Sequence, residues 1–278
     1  MNDAVTIPDT LCFDLEARDG APYRIFLALP SGEPPAEGFP VIYMLDANAG
    51  FATFVEALRR GAVRPQGTGV KPAVIVGIGY PTDGAYDRAR RTFDYTAGPS
   101  AEARTGGEGA APKTGGRDAF LGFIEQVLKP EIARRCPVDP LRQTLFGHSL
   151  AGYFALDVLA RNTPAFSAYV AVSPSIWWDE ERLVAGLAET QKAAVRLSIM
   201  VGEWEQALAP WQSGRPEAAE IQVRRSRRAM VDRAKGFAEL AGWALGPNAT
   251  VQFALMPDED HATILPIAMS RALRFVLA

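Results

Sequence analysis

Hydrophobic residues along this chain form short, dense runs separated by longer stretches with helical spacing. Runs that are almost continuously apolar and rich in valine and isoleucine are typical of strands buried on both faces of a sheet. They are PVIYML (40–45), AVIVGIGY (73–80), QTLFG (143–147), SAYVAVS (167–173), VRLSIMVG (195–202) and TVQFALMP (250–257). Helical periodicity marks the segments 49–60, 117–135, 150–162, 179–190, 216–241 and 263–277. The alternation predicts a mainly parallel sheet with helices on both faces.

Two segments differ from this alternating pattern. Residues 11–30, LCFDLEARDGAPYRIFLALP, alternate apolar and polar positions on either side of Asp19-Gly20, which predicts an antiparallel hairpin ahead of the parallel strands. Residues 97–116 are rich in glycine, alanine and proline and predict a mobile loop. No linker divides the chain, so we expect one α/β domain over residues 1–278.

Composition narrows the expected partners. A net charge of -3 and a pI near 5.6 give no reason to expect nucleic acid or an anionic membrane, and favour a small-molecule ligand. Cys12 and Cys136 are far apart in the sequence, which favours free thiols in a reducing compartment over a disulfide or a zinc site. The N-terminus has no signal-peptide pattern and no apolar run approaches about 20 residues, so we expect a soluble, cytoplasmic protein.

The candidate chemistry begins at TLFGHSLAGYF, where a strand-like run meets a helix-like one. A nucleophile elbow requires this strand–turn–helix context, with small residues around the serine because the turn is tight. Gly147 and Ala151 flank Ser149 at the spacing of Gly-x-Ser-x-Gly. Alanine in place of the last glycine adds one methyl group, so Ser149 remains a candidate nucleophile. An ordinary serine in a strand-to-helix turn is the alternative.

A serine nucleophile requires a base, and the chain has two histidines. His148 adjoins Ser149, and side chains of neighbouring residues diverge at a sharp turn, so packing or hydrogen bonding is its expected role. His261 follows the last strand and precedes the last helix, where α/β-hydrolases carry their base. We therefore predict that His261 is the base.

The acid of such a triad lies between serine and histidine in the chain order. The strand VRLSIMVG runs into Gly202-Glu203-Trp204-Glu205. Glu205 is preferred because the acid commonly lies three residues beyond a strand-end glycine. Three other carboxylates stay open as alternatives: Glu203, Asp258 and Asp260.

An oxyanion hole combines the N–H after the nucleophile with one from the loop after an earlier strand. The first of these is Leu150. For the second we name Ala47 in Asp46-Ala47-Asn48, with Asn48 as the alternative.

Several longer motifs appear in a fixed order. They are YMLDANAGF, RRTFDYT, GGRDAFLGFIEQVLKPEI, GHSLAGYF, SPSIWWD, GEWEQ and DEDHATILPIAMSRAL. The chain resembles in these motifs the putative esterase (esterase D-like) family of α/β-hydrolases, and within it the ferric-enterobactin and related siderophore esterases. Ala97, where the family often has proline, and Ala151 depart from its pattern.

The resemblance implies an α/β-hydrolase fold and a serine esterase that cleaves siderophore esters through an acyl-enzyme. It also implies that Arg91 and Trp177 or Trp178 line the substrate site, with Arg91 attracting an anionic siderophore. The alternatives are an Arg91–Asp94 surface pair and plain packing for the tryptophans. The basic stretch 223–236 is interpreted as a solvated helix, because acidic residues precede basic ones in it.

Several other functions would use the same serine, histidine and carboxylate. An aryl or feruloyl-type carboxylesterase, a thioesterase or an acyltransferase would differ in the acyl group or its acceptor, and an inactive hydrolase-fold binding protein would lack turnover. A dinucleotide site is excluded because Thr82 stands where the third glycine of Gly-x-Gly-x-x-Gly would be. No cofactor or metal is predicted, and the sequence leaves the oligomeric state open.

Overall fold

The computed structural model describes residues 5–104, 112–161, 165–190 and 194–278. Its strands form one eight-stranded sheet in the order β1-β2-β4-β3-β5-β6-β7-β8. The strands are β1 Thr10–Glu16, β2 Pro22–Ala28, β3 Phe39–Leu45, β4 Val74–Gly79, β5 Val138–His148, β6 Ala168–Val172, β7 Arg196–Gly202 and β8 Thr250–Met256. The longer helices are α1 Ala47–Ala62, α3 Arg88–Tyr95, α7 Leu150–Ala160, α8 Glu180–Glu189, α9 Ala218–Arg228, α10 Met230–Leu245 and α11 Ile264–Leu277. Shorter ones are α2 Pro65–Thr68, α4 Ala101–Arg104, α5 Arg117–Phe123 and α6 Lys129–Arg135, the last two joined by a π-helical turn, Ile124–Leu128.

The sheet is antiparallel at its N-terminal edge and parallel elsewhere. β1 pairs with β2 and β2 with β4 in antiparallel register, whereas β3 to β8 run parallel. Every residue of β3 and β4 is buried, as expected for continuously apolar strands covered on both sides. The predicted fold class, a parallel sheet preceded by an antiparallel hairpin, is confirmed.

Helices cover both faces of the sheet. Side chains from α7, α8 and α10 pack on one face in a core that includes Phe154, Leu183 and Phe237. α1 and α11 cover the opposite face around Phe54 and Leu273. The carboxyl ends of the parallel strands thereby remain the edge at which loops can meet around a ligand.

Two predicted segments differ in the structure, and one of the longer helices was not predicted. The helix expected over 216–241 is two helices, because Ala229 takes a left-handed conformation (φ 44°) between α9 and α10. α3 was not predicted at all. The described part of the 97–116 segment includes α4, whose first turn is capped by Ser100, and residues 105–111 lie outside the described chain.

Among the described residues, no helix is long and apolar enough to cross a membrane.

Candidate active site

Ser149 sits at a strained turn between β5 and α7. Its φ is 59°, a value that non-glycine residues adopt rarely and that marks functional sites when the surroundings enforce it. Here its N–H donates to the Val172 carbonyl at 2.9 Å, and its own carbonyl accepts from the Ser175 N–H at 3.1 Å. β6 and the turn after it therefore hold the serine backbone in place.

At this elbow the residue that must lack a side chain is Gly147, not residue 151. A Cβ on Gly147 would lie 2.2 Å from the Ala151 carbonyl oxygen, so only glycine fits there. The Ala151 methyl is itself fully buried in the core under the elbow. The departure from Gly-x-Ser-x-Gly is thus accommodated without opening the turn.

Ser149, His261 and Glu205 form a continuous hydrogen-bonded chain. The Ser149 Oγ lies 3.0 Å from His261 Nε2, and His261 Nδ1 lies 2.6 Å from Glu205 Oε2. The Glu205 carboxylate is buried, and its other oxygen accepts from the Gly202 N–H at 2.8 Å and from the Ser173 hydroxyl. The partners of Oε1 fix the carboxylate so that Oε2 faces the imidazole.

Two of the three alternative carboxylates, Glu203 and Asp260, have partners other than the His261 imidazole. Glu203 accepts from the Asp258 N–H at 2.9 Å, which ties the end of β7 to the loop after β8. Asp260 accepts from the N–H groups of Ala262 and Thr263 at 2.8 and 3.0 Å, at the start of α11. These contacts shape the loop that carries His261 without touching the imidazole.

His148 supports the same loop. Its Nε2 lies 2.8 Å from the His261 carbonyl oxygen, as a donor to it, and the two rings are 4.8 Å apart. Burial, together with the neighbouring His261 and Arg91, lowers the pKa of His148 to about 3. A neutral imidazole is therefore expected there at neutral pH.

The predicted oxyanion donors lie at adjacent strand ends. Met44 of β3 pairs with Phe146 of β5, so Ala47 and Ser149 each follow that pair by three residues. Ala47 begins α1, and the first N–H groups of a helix lack intrahelical acceptors. The Asn48 side-chain amide bonds the backbone of Tyr80 and Thr82, and its backbone N–H, also in the first turn of α1, stays the alternative donor.

Arg91 reaches the same loop from α3. Its guanidinium forms a paired contact with Asp46, with the shortest distance 2.7 Å, and the Tyr95 hydroxyl donates to the same carboxylate at 3.0 Å. The alternative of an Arg91–Asp94 pair is wrong: Asp94 lies 3.9 Å from Arg90 instead. Arg91 also lines the cavity that contains Ser149, with its charge already paired to Asp46.

The serine opens into a cavity of about 770 Å³. Trp177 and Trp178 line it, and Trp178 also donates its indole N–H to the Gly98 carbonyl at 3.1 Å. Arg88 and Arg228 contribute further cationic side chains. The predicted residues Ser149, Leu150, Arg91 and His261 border this cavity as well, whereas the Ala47 side chain packs against β4 at Gly77.

Sequence reasoning missed four residues of this site. Ser173 and Ser175 belong to the SPSIWW motif, but nothing in their spacing says that one bonds the acid and the other the elbow. Arg88 and Arg228 were hidden among other arginines in basic helices. Only the folded position of α3 and α9 separates these two from their neighbours.

An α/β sheet with a serine elbow, a histidine after the last strand and a buried glutamate after the preceding one defines the serine-hydrolase class of α/β-hydrolases. Comparison with known proteins gives the family. The chain matches the Putative esterase family over residues 17–240 and therefore belongs to it. It is a carboxylic ester hydrolase, as the resemblance implied.

Named relatives cover almost the whole chain. It is 38% identical to the ferri-bacillibactin esterase BesA of Bacillus subtilis (strain 168), over 99% of this chain and 92% of that protein. It is 33% identical to the siderophore triacetylfusarinine C esterase of Aspergillus fumigatus, over 97% and 93%. The solved BES protein from Bacillus cereus is similar with a TM-score of 0.82 and 33% identity, covering 99% of this chain and 98% of that one.

Proposed function

We propose that this esterase cleaves siderophore esters through an acyl-enzyme on Ser149, with His261 as base and Glu205 as the acid that orients it. The observation that carries the proposal is the Ser149–His261–Glu205 hydrogen-bonded chain, which opens into a cavity lined by arginine and tryptophan. The names of the relatives support a siderophore as the substrate class.

The first half of the reaction forms the acyl-enzyme. His261 Nε2 accepts the hydroxyl proton as Ser149 Oγ attacks the ester carbonyl carbon, giving a tetrahedral intermediate. The C–O bond to the alcohol then breaks, and His261 returns the proton to the departing oxygen. In the second half water attacks the acyl carbonyl with His261 again as base, which releases the acid and restores the serine.

Glu205 acts through His261. Its Oε2 accepts a hydrogen bond from the Nδ1–H group, which leaves Nε2 unprotonated and able to take the serine proton. The same carboxylate stabilises the imidazolium once it forms. The Gly202 N–H and the Ser173 hydroxyl both donate to Oε1, so the carboxylate is held with Oε2 towards the imidazole.

The oxyanion of the tetrahedral intermediate is stabilised by the N–H groups of Leu150 and Ala47. Both belong to first turns of helices, α7 and α1, whose N-termini carry partial positive charge. Preorganised donors of this kind stabilise charge that develops only in the transition state.

A hydrolysis panel tests the substrate class. Purified enzyme is incubated with ferric and iron-free enterobactin, a 4-nitrophenyl ester, a feruloyl ester and a matched thioester, and products are identified by mass. We expect the siderophore esters to be cleaved with the highest kcat/KM. Brisk aryl-ester hydrolysis with no siderophore cleavage would replace the proposal with a general carboxylesterase.

Active-site labelling tests the nucleophile. A serine-directed phosphonate should add one label at Ser149, and Ser149→Ala should lose both labelling and several orders of magnitude in kcat while its unfolding curve matches that of wild type. Near-normal turnover by the variant would remove Ser149 from the mechanism. Absence of both labelling and turnover in wild type would favour a hydrolase-fold binding protein.

A further inference from the structure

Arg228 occupies an unusual position in the cavity wall. It is the last residue of α9, and its guanidinium carbon lies 3.7 Å from the centroid of the Trp177 ring. The basic stretch 223–236 was expected to be a solvated helix, and its residues Arg224 and Arg227 are exposed. Arg228 instead is half-buried and lines the cavity that contains Ser149 and His261.

The backbone after Arg228 is strained in a way that sets its direction. Ala229 has a φ of 44° at the junction between α9 and α10, a left-handed conformation that L-residues other than glycine adopt rarely. Arg233 donates to the Arg228 carbonyl at 3.1 Å and holds this junction. A continuous helix would lack the turn that separates α9 from α10 at this cavity.

Among the described residues around Arg228, cationic groups outnumber carboxylates. Arg228 bonds Glu102 through Nε and Nη2 at 3.1 and 2.7 Å, and Arg227 contacts the same carboxylate at 2.9 Å. Two cations therefore share one anion. Arg88, also in the cavity wall, has no ion pair with the described residues, and no aspartate or glutamate is among the described residues that line the cavity.

These observations point to an anionic, aromatic ligand. A guanidinium stacked on an indole offers its edge donors to oxygen atoms and its plane to ring systems. Glu102 uses Nε and Nη2, and among the described residues Nη1 has no hydrogen-bond partner. The excess positive charge attracts net negative ligands to a chain whose overall charge is -3.

We propose that Arg228, stacked on Trp177 and paired with Glu102, is the residue that selects ferric catecholate substrates over their iron-free forms. This inference rests on the proposed function. Catechol hydroxyls are largely protonated at neutral pH, whereas iron binding deprotonates them and gives the complex delocalised negative charge. The ferric and iron-free forms therefore differ in the negative charge on their catechol oxygens, and Arg228 can contact these oxygens directly.

The test compares Arg228→Gln with Arg227→Gln. Both changes remove one positive charge beside Glu102, but Arg227 lies outside the cavity lining and its side chain is 64% exposed. The measured quantity is kcat/KM for ferric enterobactin divided by kcat/KM for the iron-free compound. Arg228→Gln should lower this ratio about 10-fold or more, in keeping with the loss of a charge-assisted contact, and Arg227→Gln should leave it within about 2-fold. An equal fall in both variants, or an unchanged ratio in Arg228→Gln, would overturn the proposal.

A binding experiment separates this inference from the proposed function. Ferric enterobactin is titrated into Ser149→Ala, with quenching of tryptophan fluorescence as the signal, and then into the same variant carrying Arg228→Gln or Arg227→Gln. Weaker binding only with Arg228→Gln supports a direct contact between Arg228 and the ferric complex, on which the selector role depends, even if wild type cleaves no siderophore. Siderophore cleavage by wild type with identical dissociation constants in all three proteins would retain the function and overturn the role of Arg228.

Discussion

At the scale of single residues, two glutamates two positions apart have entirely different surroundings. Glu203 and Glu205 lie in one short 3-10 turn after β7, and their spacing alone left the acid undecided. Burial separates them: Glu205 is 3% exposed and bonds the imidazole, whereas Glu203 bonds the Asp258 N–H. Side-chain direction within a single turn depends on tertiary contacts that the sequence does not display.

The pair provides a matched test of the acid. Glu205→Gln should lower kcat by about 10³-fold to 10⁴-fold, because the amide cannot stabilise an imidazolium or fix the same tautomer. Glu203→Gln, an identical chemical change two residues earlier, should alter kcat by less than about 3-fold. Steady-state kinetics on a 4-nitrophenyl ester measures both. Equal losses in the two variants would show that the turn as a whole is required, with no special role for Glu205.

Arg91 is held by Asp46, directly before the predicted oxyanion donor Ala47. Arg91→Ala should therefore lower kcat on neutral and anionic esters alike, and should destabilise the fold by about 3 kcal/mol because the buried Asp46 carboxylate loses its partner. Urea unfolding and kinetics on both substrate types measure this. Adding Asp46→Asn should recover part of the stability. A loss confined to anionic substrates would instead return Arg91 to a substrate-binding role.

At the scale of elements, the elbow depends on one glycine. Gly147→Ala would place a Cβ 2.2 Å from the Ala151 carbonyl oxygen, so α7 and β5 would have to separate. We expect a loss of at least about 2 kcal/mol in unfolding free energy together with most of the activity. Ala151→Gly, which restores the usual motif, should keep both activity and fold and lose no more than about 1 kcal/mol. Tolerance of Gly147→Ala would contradict this packing account.

The strands and most helices could be predicted because burial alone dictates their patterns. Strands covered on both faces are apolar throughout, and α7 and α11 show their apolar content directly. α3 was missed because RARRTFDY is mostly polar; Asp87 caps it, and its buried residues include the charged Asp94. The break at Ala229 could not be foreseen either, since alanine is the strongest helix former and only tertiary structure imposes its positive φ.

At the scale of the whole molecule, charge matters through its distribution. A net charge of -3 argued correctly for a small-molecule ligand class, yet it conceals a cavity wall with three arginines and, among the described residues, no carboxylate. The electrostatic potential of the cavity depends on which helices lie side by side around it, so composition alone cannot reveal it. The sequence could therefore nominate Ser149 and His261, which the structure places 3.0 Å apart, but it could not indicate the distribution of charge around them.

Two buried groups give stability opposite dependences on pH. Burial raises the pKa of Asp94 to about 6 from 3.8, so the folded state binds the extra proton and this contribution is lost as pH rises from about 4 to 6. The pKa of His148 falls from 6.5 to about 3 on folding, so between these values the unfolded state binds the extra proton. Its contribution is present above about 6.5 and is lost as pH falls towards 3.

Substituting His148 or Asp94 singly measures the contribution of each to the pH dependence of stability. The difference in unfolding free energy between wild type and His148→Gln should shrink by about 2 kcal/mol from pH 7 to pH 5. The reason is that only unfolded wild type gains a proton at this imidazole, which stabilises its unfolded state in acid. Urea unfolding at intervals of half a pH unit gives the two curves. Asp94→Asn is the control of opposite sign: the advantage of wild type over it should grow as pH falls from 6 to 4. If wild type and His148→Gln gave parallel curves, His148 would titrate alike in the folded and unfolded chains, and its burial beside His261 and Arg91 would have no effect on its ionisation.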